Sequence, residues 1–264
     1  MLMRWLVSAS IFLIFSSMSV TGLAGTRSDT AKEQRWSEQI IDTLFDGDVV
    51  WLDTEDHTFL GVEMEAEDSA ENKAVIVVHG IGVHPNWEQV IRPLRVELTQ
   101  YGWQTLSIQM PILPNEAEPN DYYPLFEEVS ARFNAAVTYL NKQGISEIVI
   151  AAHSMGAAMT SQYLAENPDA PIKAAVLIGM DLHLGSEKID LHPNIISIRI
   201  PILDLYGSED LPNVTGSSSL RADAAKAGGN AHYEQITVDG ANHFFDGKEE
   251  TLIDTVKNWL QQTD

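Results

Sequence analysis

The sequence predicts an α/β protein in which helices cover both faces of a central, mostly parallel sheet. From residue 74 onward, apolar strand-like runs alternate with helical patterns at the spacing of β-α-β units. Residues 74–78, AVIVV, form a continuous β-branched run, which is typical of a strand buried on both faces. The length of 264 residues and the 44% hydrophobic content fit one globular domain of this class.

The N-terminus, residues 1–24, has the layout of a cleaved secretory signal peptide. Arg4 precedes an apolar run over residues 5–15, and Gly22-Leu23-Ala24 then places small residues at positions −3 and −1 of a cleavage site. An uncleaved membrane anchor is the alternative, although the apolar run is shorter than the roughly 20 residues that span a bilayer. We therefore expect an exported protein, periplasmic or extracellular, with no stable membrane insertion after cleavage and residues 25–264 forming a single domain.

Antiparallel strands are predicted at the start of that domain. Residues 31–45 carry apolar side chains at helical spacing, which favours an amphipathic helix. Two strand-like runs follow at 49–54 and 57–66, separated by a short polar turn, and they predict an antiparallel hairpin.

The rest of the chain supplies the alternating elements. A helix is predicted over 87–102, with Pro93 either kinking it or delaying its start. The other predicted elements are strands at 104–111, 147–152, 172–180, 200–207 and 232–240, and helices at 125–144, 157–168, 218–229 and 248–262. Only about 20 residues, 181–200, lie between the fourth and fifth parallel strands. That segment is too short to bury a core of its own, so we expect no large cap domain and an open site.

Charge and composition exclude several classes of partner. The formal net charge is −22 and no basic cluster is present, so nucleic acid is not an expected partner. The chain contains no cysteine, which excludes disulfides, thiol catalysis and cysteine-ligated zinc. The histidines show no metal-ligand spacing, and we predict neither a metal nor another cofactor. The oligomeric state is not indicated by the sequence.

Ser154 is the candidate nucleophile. It follows the predicted strand 147–152 directly and precedes a helix, at the edge of a parallel sheet where ligands bind. Ala152 and Gly156, two residues before and after it, have small side chains that allow a tight strand-to-helix turn exposing the serine hydroxyl. Taken alone, the same pattern also fits an ordinary strand end.

Two further segments favour the nucleophile. Asp210 follows the next-to-last strand and His243 follows the last one, so the chain order is serine, aspartate, histidine. A serine hydroxyl needs an imidazole to take its proton, and that imidazole needs a carboxylate to fix its tautomer. Asp181, which follows the strand 172–180, is the competing candidate for the acid.

An oxyanion hole is predicted from two backbone N–H groups. Residues 79–82, HGIG, follow the first parallel strand and would supply the N–H of Ile81. The second N–H would come from Met155, the residue after the nucleophile. We expect His79 to be structural and to lie beneath this loop. His153 is expected to pack with its side chain pointing away from the site.

These four segments together resemble the α/β-hydrolase superfamily from about residue 49 to the C-terminus. The blocks PNW, PLR, TLSIQMP and HSMGA are more narrowly similar to exported bacterial α/β hydrolases that are grouped as a domain family of unknown function. The resemblance implies the α/β-hydrolase fold. It also implies that the protein is a serine hydrolase acting on a small-molecule ester or related acyl compound. The alternative is a non-catalytic exported binding protein that reuses this fold.

Overall fold

The computed structural model describes residues 27–67, 72–184 and 189–263. The predicted signal peptide therefore lies outside the described residues. The strands are β1 (Asp48–Asp53), β2 (Thr58–Met64), β3 (Lys73–Val78), β4 (Gln104–Ile108), β5 (Glu147–His153), β6 (Ala174–Ile178), β7 (His183–Leu184), β8 (Ile189–Asp190), β9 (Ile202–Glu209) and β10 (Tyr233–Asn242). The helices are α1 (Thr30–Thr43), α2 (Ile91–Glu97), α3 (Phe126–Lys142), α4 (Met155–Glu166), α5 (His192–Ser197), α6 (Pro212–Gly216), α7 (Ser218–Gly228) and α8 (Glu249–Thr263), with 3-10 helices at Leu98–Tyr101 and Pro119–Leu125.

The main sheet has eight strands in the order β1-β2-β4-β3-β5-β6-β9-β10. β1 and β2 are antiparallel to each other, β2 is antiparallel to β4, and every pairing from β4 through β10 is parallel. The predicted fold class, a mostly parallel sheet with antiparallel N-terminal strands, is confirmed. The carboxyl ends of β3, β5, β6, β9 and β10 consequently meet at one edge, where the candidate residues lie.

The central strands are buried on both faces, as their apolar composition predicts. On β3, Ile76 and Val78 pack into one core with α3 and α4, while Val75 and Val77 pack into a second core with α2 and α8. This alternation follows from the two-residue period of a strand. Helices therefore cover both faces of the sheet.

Two buried ion pairs attach helices to this framework. Arg132 of α3 donates two hydrogen bonds to the Glu33 carboxylate of α1, at 3.0 and 2.7 Å, and both side chains are buried. Asp204 of β9 accepts from Arg221 of α7 at 2.7 Å. Removing one partner from such a pair leaves an uncompensated buried charge, so each pair strongly specifies where its helix docks.

Helix α2 is shorter than the sequence predicts. It begins at Ile91 rather than at residue 87, because Pro93 is tolerated only in the first turn, where its missing N–H is not needed. Residues 84–90 therefore form an irregular segment.

The segment between β6 and β9 holds no cap domain, as predicted. Its described residues form only the two-stranded β7-β8 hairpin and the six-residue helix α5. The edge of the sheet that carries the candidate site is therefore not covered by a separate lid. None of the helices in the described ranges is both long enough and apolar enough to cross a bilayer.

Gly156 allows α4 to pack closely over the end of β3. A Cβ atom at this position would lie 2.4 Å from the His79 carbonyl oxygen and 2.9 Å from Val78 Cγ1. Real Cβ atoms do not approach that closely, so a side chain here would push α4 away from the strand.

Replacement of Gly156 by alanine is therefore expected to lower the free energy of unfolding by about 1–3 kcal/mol. Gly216→Ala is the matched control, because no atom lies within 4 Å of its hypothetical Cβ. Urea denaturation of both variants measures the difference. Equal stability of Gly156→Ala and the unmodified protein would contradict the close-packing argument.

Candidate active site

Ser154 connects β5 to α4 within a single residue. Its φ of 56° and ψ of −123° lie in a region that residues with side chains rarely adopt. Such a backbone is strained by about 1–3 kcal/mol and persists only where the surrounding structure enforces it. The Ser154 N–H donates to the Ile178 carbonyl at 2.8 Å, which anchors the turn to β6. The sharp turn leaves the hydroxyl partly exposed at the edge of the sheet.

His243 lies between Ser154 and Asp210. Its Nε2 is 3.0 Å from the Ser154 hydroxyl oxygen, and its Nδ1 is 2.6 Å from Asp210 Oδ1. Asp210 is buried, with its Oδ1 also accepting from the Leu211 N–H at 2.7 Å. In this arrangement Nδ1 carries the imidazole proton and donates to the carboxylate, so Nε2 is left to accept from the hydroxyl.

Asp181, the competing candidate, has no hydrogen bond to His243 among those of the described residues. Its Oδ2 accepts instead from the side-chain amide of Asn213. The structure therefore brings Asp210, and not Asp181, together with the histidine.

Gly179, at the end of β6, leaves room for the histidine–aspartate pair. Its φ is 59°, and a Cβ there would lie 3.1 Å from two ring atoms of His243 and 3.3 Å from Asp210 Oδ2. A larger residue would displace the ring from its position between serine and aspartate.

The loop 79–82 lies against the nucleophile. A Cβ on Gly80 would be 3.0 Å from the Ser154 Cβ. Among the described residues, no hydrogen bond occupies the backbone N–H of Ile81 or that of Met155. Met155 is the first residue of α4, and the first N–H groups of a helix have no acceptor within it.

His79 holds this loop from below. Its Nδ1 donates to the Gly80 carbonyl at 2.8 Å, and its Nε2 accepts from the Met110 N–H at 2.9 Å. Complete burial lowers the pKa of His79 to about 3, so the ring is neutral and fixed in one tautomer. The contacts agree with the structural role that the sequence predicts.

His153 differs from its prediction, because its side chain does not point away from the site. The ring is buried, and its centroid lies 4.7 Å from the ring centroid of His243. Its Nε2 donates to the His243 carbonyl at 2.9 Å. Burial and the neighbouring His243 lower the pKa of His153 to about 4. A neutral His153 therefore holds the backbone of His243.

The segment after β10 orients His243 further. Phe245 is buried with a φ of 56°, and the Asn242 side chain accepts from the N–H groups of Phe244 and Asp246 at 3.0 and 3.1 Å. Gln89 donates to the Asp246 carboxylate at 2.6 Å and so connects this loop to the segment before α2.

Within the described ranges, no group of three or more histidine, aspartate or glutamate side chains is arranged to hold a metal ion. The polar groups at this edge instead form a hydrogen-bonded series of a hydroxyl, an imidazole and a carboxylate.

A family model described as "Protein of unknown function (DUF3530)" matches residues 23–125 and 115–262. The chain belongs to the DUF3530 family. This agrees with the resemblance to a domain family of unknown function. A search of curated proteins found no match to the chain.

Solved structures place this DUF3530 member among the α/β hydrolases by fold. An esterase from Pyrococcus furiosus, Pf2001, is similar with a TM-score of 0.67 and 19% identity over 84% of this chain and 95% of that one. Est1E from Butyrivibrio proteoclasticus is similar with a TM-score of 0.65 and 16% identity, covering 81% and 98% of the two chains. An alpha-beta serine hydrolase homologue from Coxiella burnetii has a TM-score of 0.62 and 13% identity, covering 81% and 99%. At these identities the similarity establishes the α/β-hydrolase fold.

The residues that surround His243 leave weak signals in the sequence. His153 has a recognisable signal, since it directly precedes the candidate nucleophile, but its partner lies 90 residues away in the chain. Gln89 has no local signal at all, because its bond to Asp246 crosses 157 residues.

The bond between His243 and Asp210 can be tested without any assumption about activity. The proton on Nδ1 lies in a hydrogen bond whose nitrogen and oxygen are 2.6 Å apart, so it is deshielded and protected from exchange. It should give a proton NMR resonance far downfield of the amides. Asp210→Asn should remove that resonance, because the asparagine amide carries no charge and cannot form the short, charge-assisted hydrogen bond with Nδ1. Asp181→Asn is the matched control and should retain it. Loss of the resonance only in Asp181→Asn would show that Asp181 is the partner.

Proposed function

We propose that this protein is a serine hydrolase that cleaves carboxylic esters or related acyl compounds. The observation that carries the proposal is the hydrogen-bonded series Ser154–His243–Asp210, with donor–acceptor distances of 3.0 and 2.6 Å, ending on a serine with a strained backbone. An ordinary strand end has no need for that strain, whereas an exposed nucleophile does.

The first half of the reaction forms an acyl-enzyme. His243 Nε2 takes the hydroxyl proton as Ser154 Oγ attacks the acyl carbon, giving a tetrahedral intermediate with a negatively charged oxygen. His243 then returns that proton to the leaving alcohol, and the bond between the acyl carbon and the leaving oxygen breaks. The acyl group is left esterified to Ser154.

Water completes the cycle in the second half. His243 Nε2 takes a proton from the water as the water oxygen attacks the acyl carbon. The bond between Ser154 Oγ and the acyl carbon then breaks, His243 returns the proton to Oγ, and the carboxylic acid leaves. Asp210 stays ionised throughout. It orients the imidazole and stabilises the positive charge that His243 carries after each proton transfer.

The N–H groups of Ile81 and Met155 are proposed to bind the intermediate's oxyanion. Both groups are free of hydrogen bonds to the described residues and flank Ser154, one on the loop after β3 and one at the start of α4. Donors that are already oriented need no reorganisation as charge develops, and one such donor is worth about 10²–10³ in kcat.

The surroundings of the triad favour a small, uncharged acyl substrate. Phe244 and Leu211 each follow a triad residue and are 38% and 46% exposed, and the ring centroid of Phe244 lies 5.2 Å from that of His243. These exposed apolar side chains offer contact area for an acyl group. The net charge of −22 disfavours anionic substrates.

Ser154→Ala should abolish hydrolysis of p-nitrophenyl acetate, with a loss on the order of 10⁶ in kcat. Ser161→Ala is the matched control, because Ser161 lies on the same helix and its hydroxyl donates to the Ala158 carbonyl rather than to a triad residue. Retained hydrolysis in Ser154→Ala would overturn the proposed mechanism. An unmodified protein that turns over no acyl ester would favour the non-catalytic binding protein instead.

We also propose export, with cleavage after Ala24. The support is the arrangement of a basic residue, a short apolar run and the small residues Gly22 and Ala24. N-terminal sequencing of the protein recovered outside the cytoplasm should begin at Gly25. An intact Met1 in the membrane fraction would indicate an anchor and contradict cleavage.

A further inference from the structure

A cavity of about 750 Å³ lies between α1 and the segment 84–92 that leads into α2. Its lining includes none of the three residues Ser154, Asp210 and His243, so it is separate from the candidate active site. Its volume falls within the range of small-molecule binding sites. The chemistry of its walls indicates what it binds.

Aromatic rings form much of the wall. The ring centroids of Trp36 and His84 are 5.3 Å apart, those of His84 and Trp87 are 5.6 Å apart, and both pairs meet edge to face. Phe45, which also lines the cavity, is 91% exposed. A large apolar ring left this exposed next to a concave surface is available for contact with a ligand.

Hydrogen bonds within the protein leave two N–H donors for a ligand. Arg95 donates to the Asn86 side-chain oxygen at 2.7 Å, so the side-chain N–H groups of Asn86 are available to donate to a ligand. The Asn86 backbone N–H donates to His84 Nδ1 at 3.2 Å, so a neutral His84 carries its proton on Nε2.

The cavity also offers acceptors. The side-chain N–H of Gln89 donates a hydrogen bond to the Asp246 carboxylate at 2.6 Å. The side-chain oxygen of Gln89 is therefore available to accept a hydrogen bond from a ligand. Gln39 is exposed on α1 and supplies both a donor and an acceptor. A ligand that satisfies this set must itself both donate and accept, as hydroxyl groups do.

Charges around the cavity disfavour a charged ligand of either sign. Arg92 is paired with Asp46, its Nη2 lying 2.5 Å from the carboxylate. A cation would meet the Arg92 guanidinium, which lines the cavity. An anion would meet Glu88 on the lining and a protein whose net charge is −22.

We propose that this cavity binds a neutral saccharide. The apolar face of a sugar ring packs against the tryptophan and phenylalanine rings, and the sugar hydroxyls exchange hydrogen bonds with Gln39, Asn86 and Gln89. The site works independently of the proposed hydrolase activity.

Isothermal titration calorimetry of the full chain with Ser154→Ala tests the proposal, since no bond cleavage can then contribute heat. The probes are the neutral trisaccharides cellotriose, maltotriose, xylotriose and tri-N-acetylchitotriose. At least one should bind with a stoichiometry of one, and adding Phe45→Ala or Gln39→Ala should weaken that binding by about tenfold. Both side chains are exposed, so these changes leave the core intact.

Trp51→Ala is the matched control. Trp51 is 50% exposed on β1 and does not line this cavity, so its removal should leave binding unchanged. No saturable heat from any of the four sugars would overturn the proposal. Equal weakening of sugar binding by Trp51→Ala and by Phe45→Ala would also overturn it. Saturable binding of choline or galacturonate in place of the neutral sugars would do the same.

Discussion

The close approach of α4 to the end of β3 is the constraint on which the rest of the site depends. Gly156 permits that approach, because a Cβ there would lie 2.4 Å from the His79 carbonyl oxygen. The chain must then turn from strand to helix at Ser154 alone, which is why that residue has a φ of 56°. The same turn puts the serine hydroxyl, the start of α4 and the loop 79–82 in one place. Backbone strain at Ser154 is thus enforced by packing and secured by the hydrogen bond from the Ser154 N–H to the Ile178 carbonyl of β6.

The position of the imidazole is set from three directions. Asp210 holds its Nδ1 side, His153 holds its backbone carbonyl, and the Asn242 side chain fixes the turn that follows it. His153 can do this because burial keeps it neutral, so that it brings no second positive charge close to His243. Residues outside the series Ser154–His243–Asp210 therefore help to set the distance between the serine oxygen and the imidazole nitrogen.

The fold and the order of the candidate residues could be predicted because both leave local signals. Apolar runs of β-branched residues, Gly156 near a serine, and Asp210 and His243 after successive strands are all readable along the chain. The start of α2 was predicted four residues early, since the pattern alone does not decide whether Pro93 kinks a helix or delays it. The environments of His153 and of the cavity beside α1 could not be predicted, because they arise where segments far apart in sequence meet. Export remains a prediction from residues 1–24.

The central claim is that Ser154 is a nucleophile activated by His243. It is tested most directly by treating the folded protein with a fluorophosphonate and identifying the modified residue by peptide mass spectrometry, because phosphonylation requires an activated serine and no knowledge of the substrate. The account predicts a single adduct on Ser154, and loss of labelling in His243→Ala. An unlabelled protein, an adduct on another serine, or undiminished labelling of His243→Ala would contradict it.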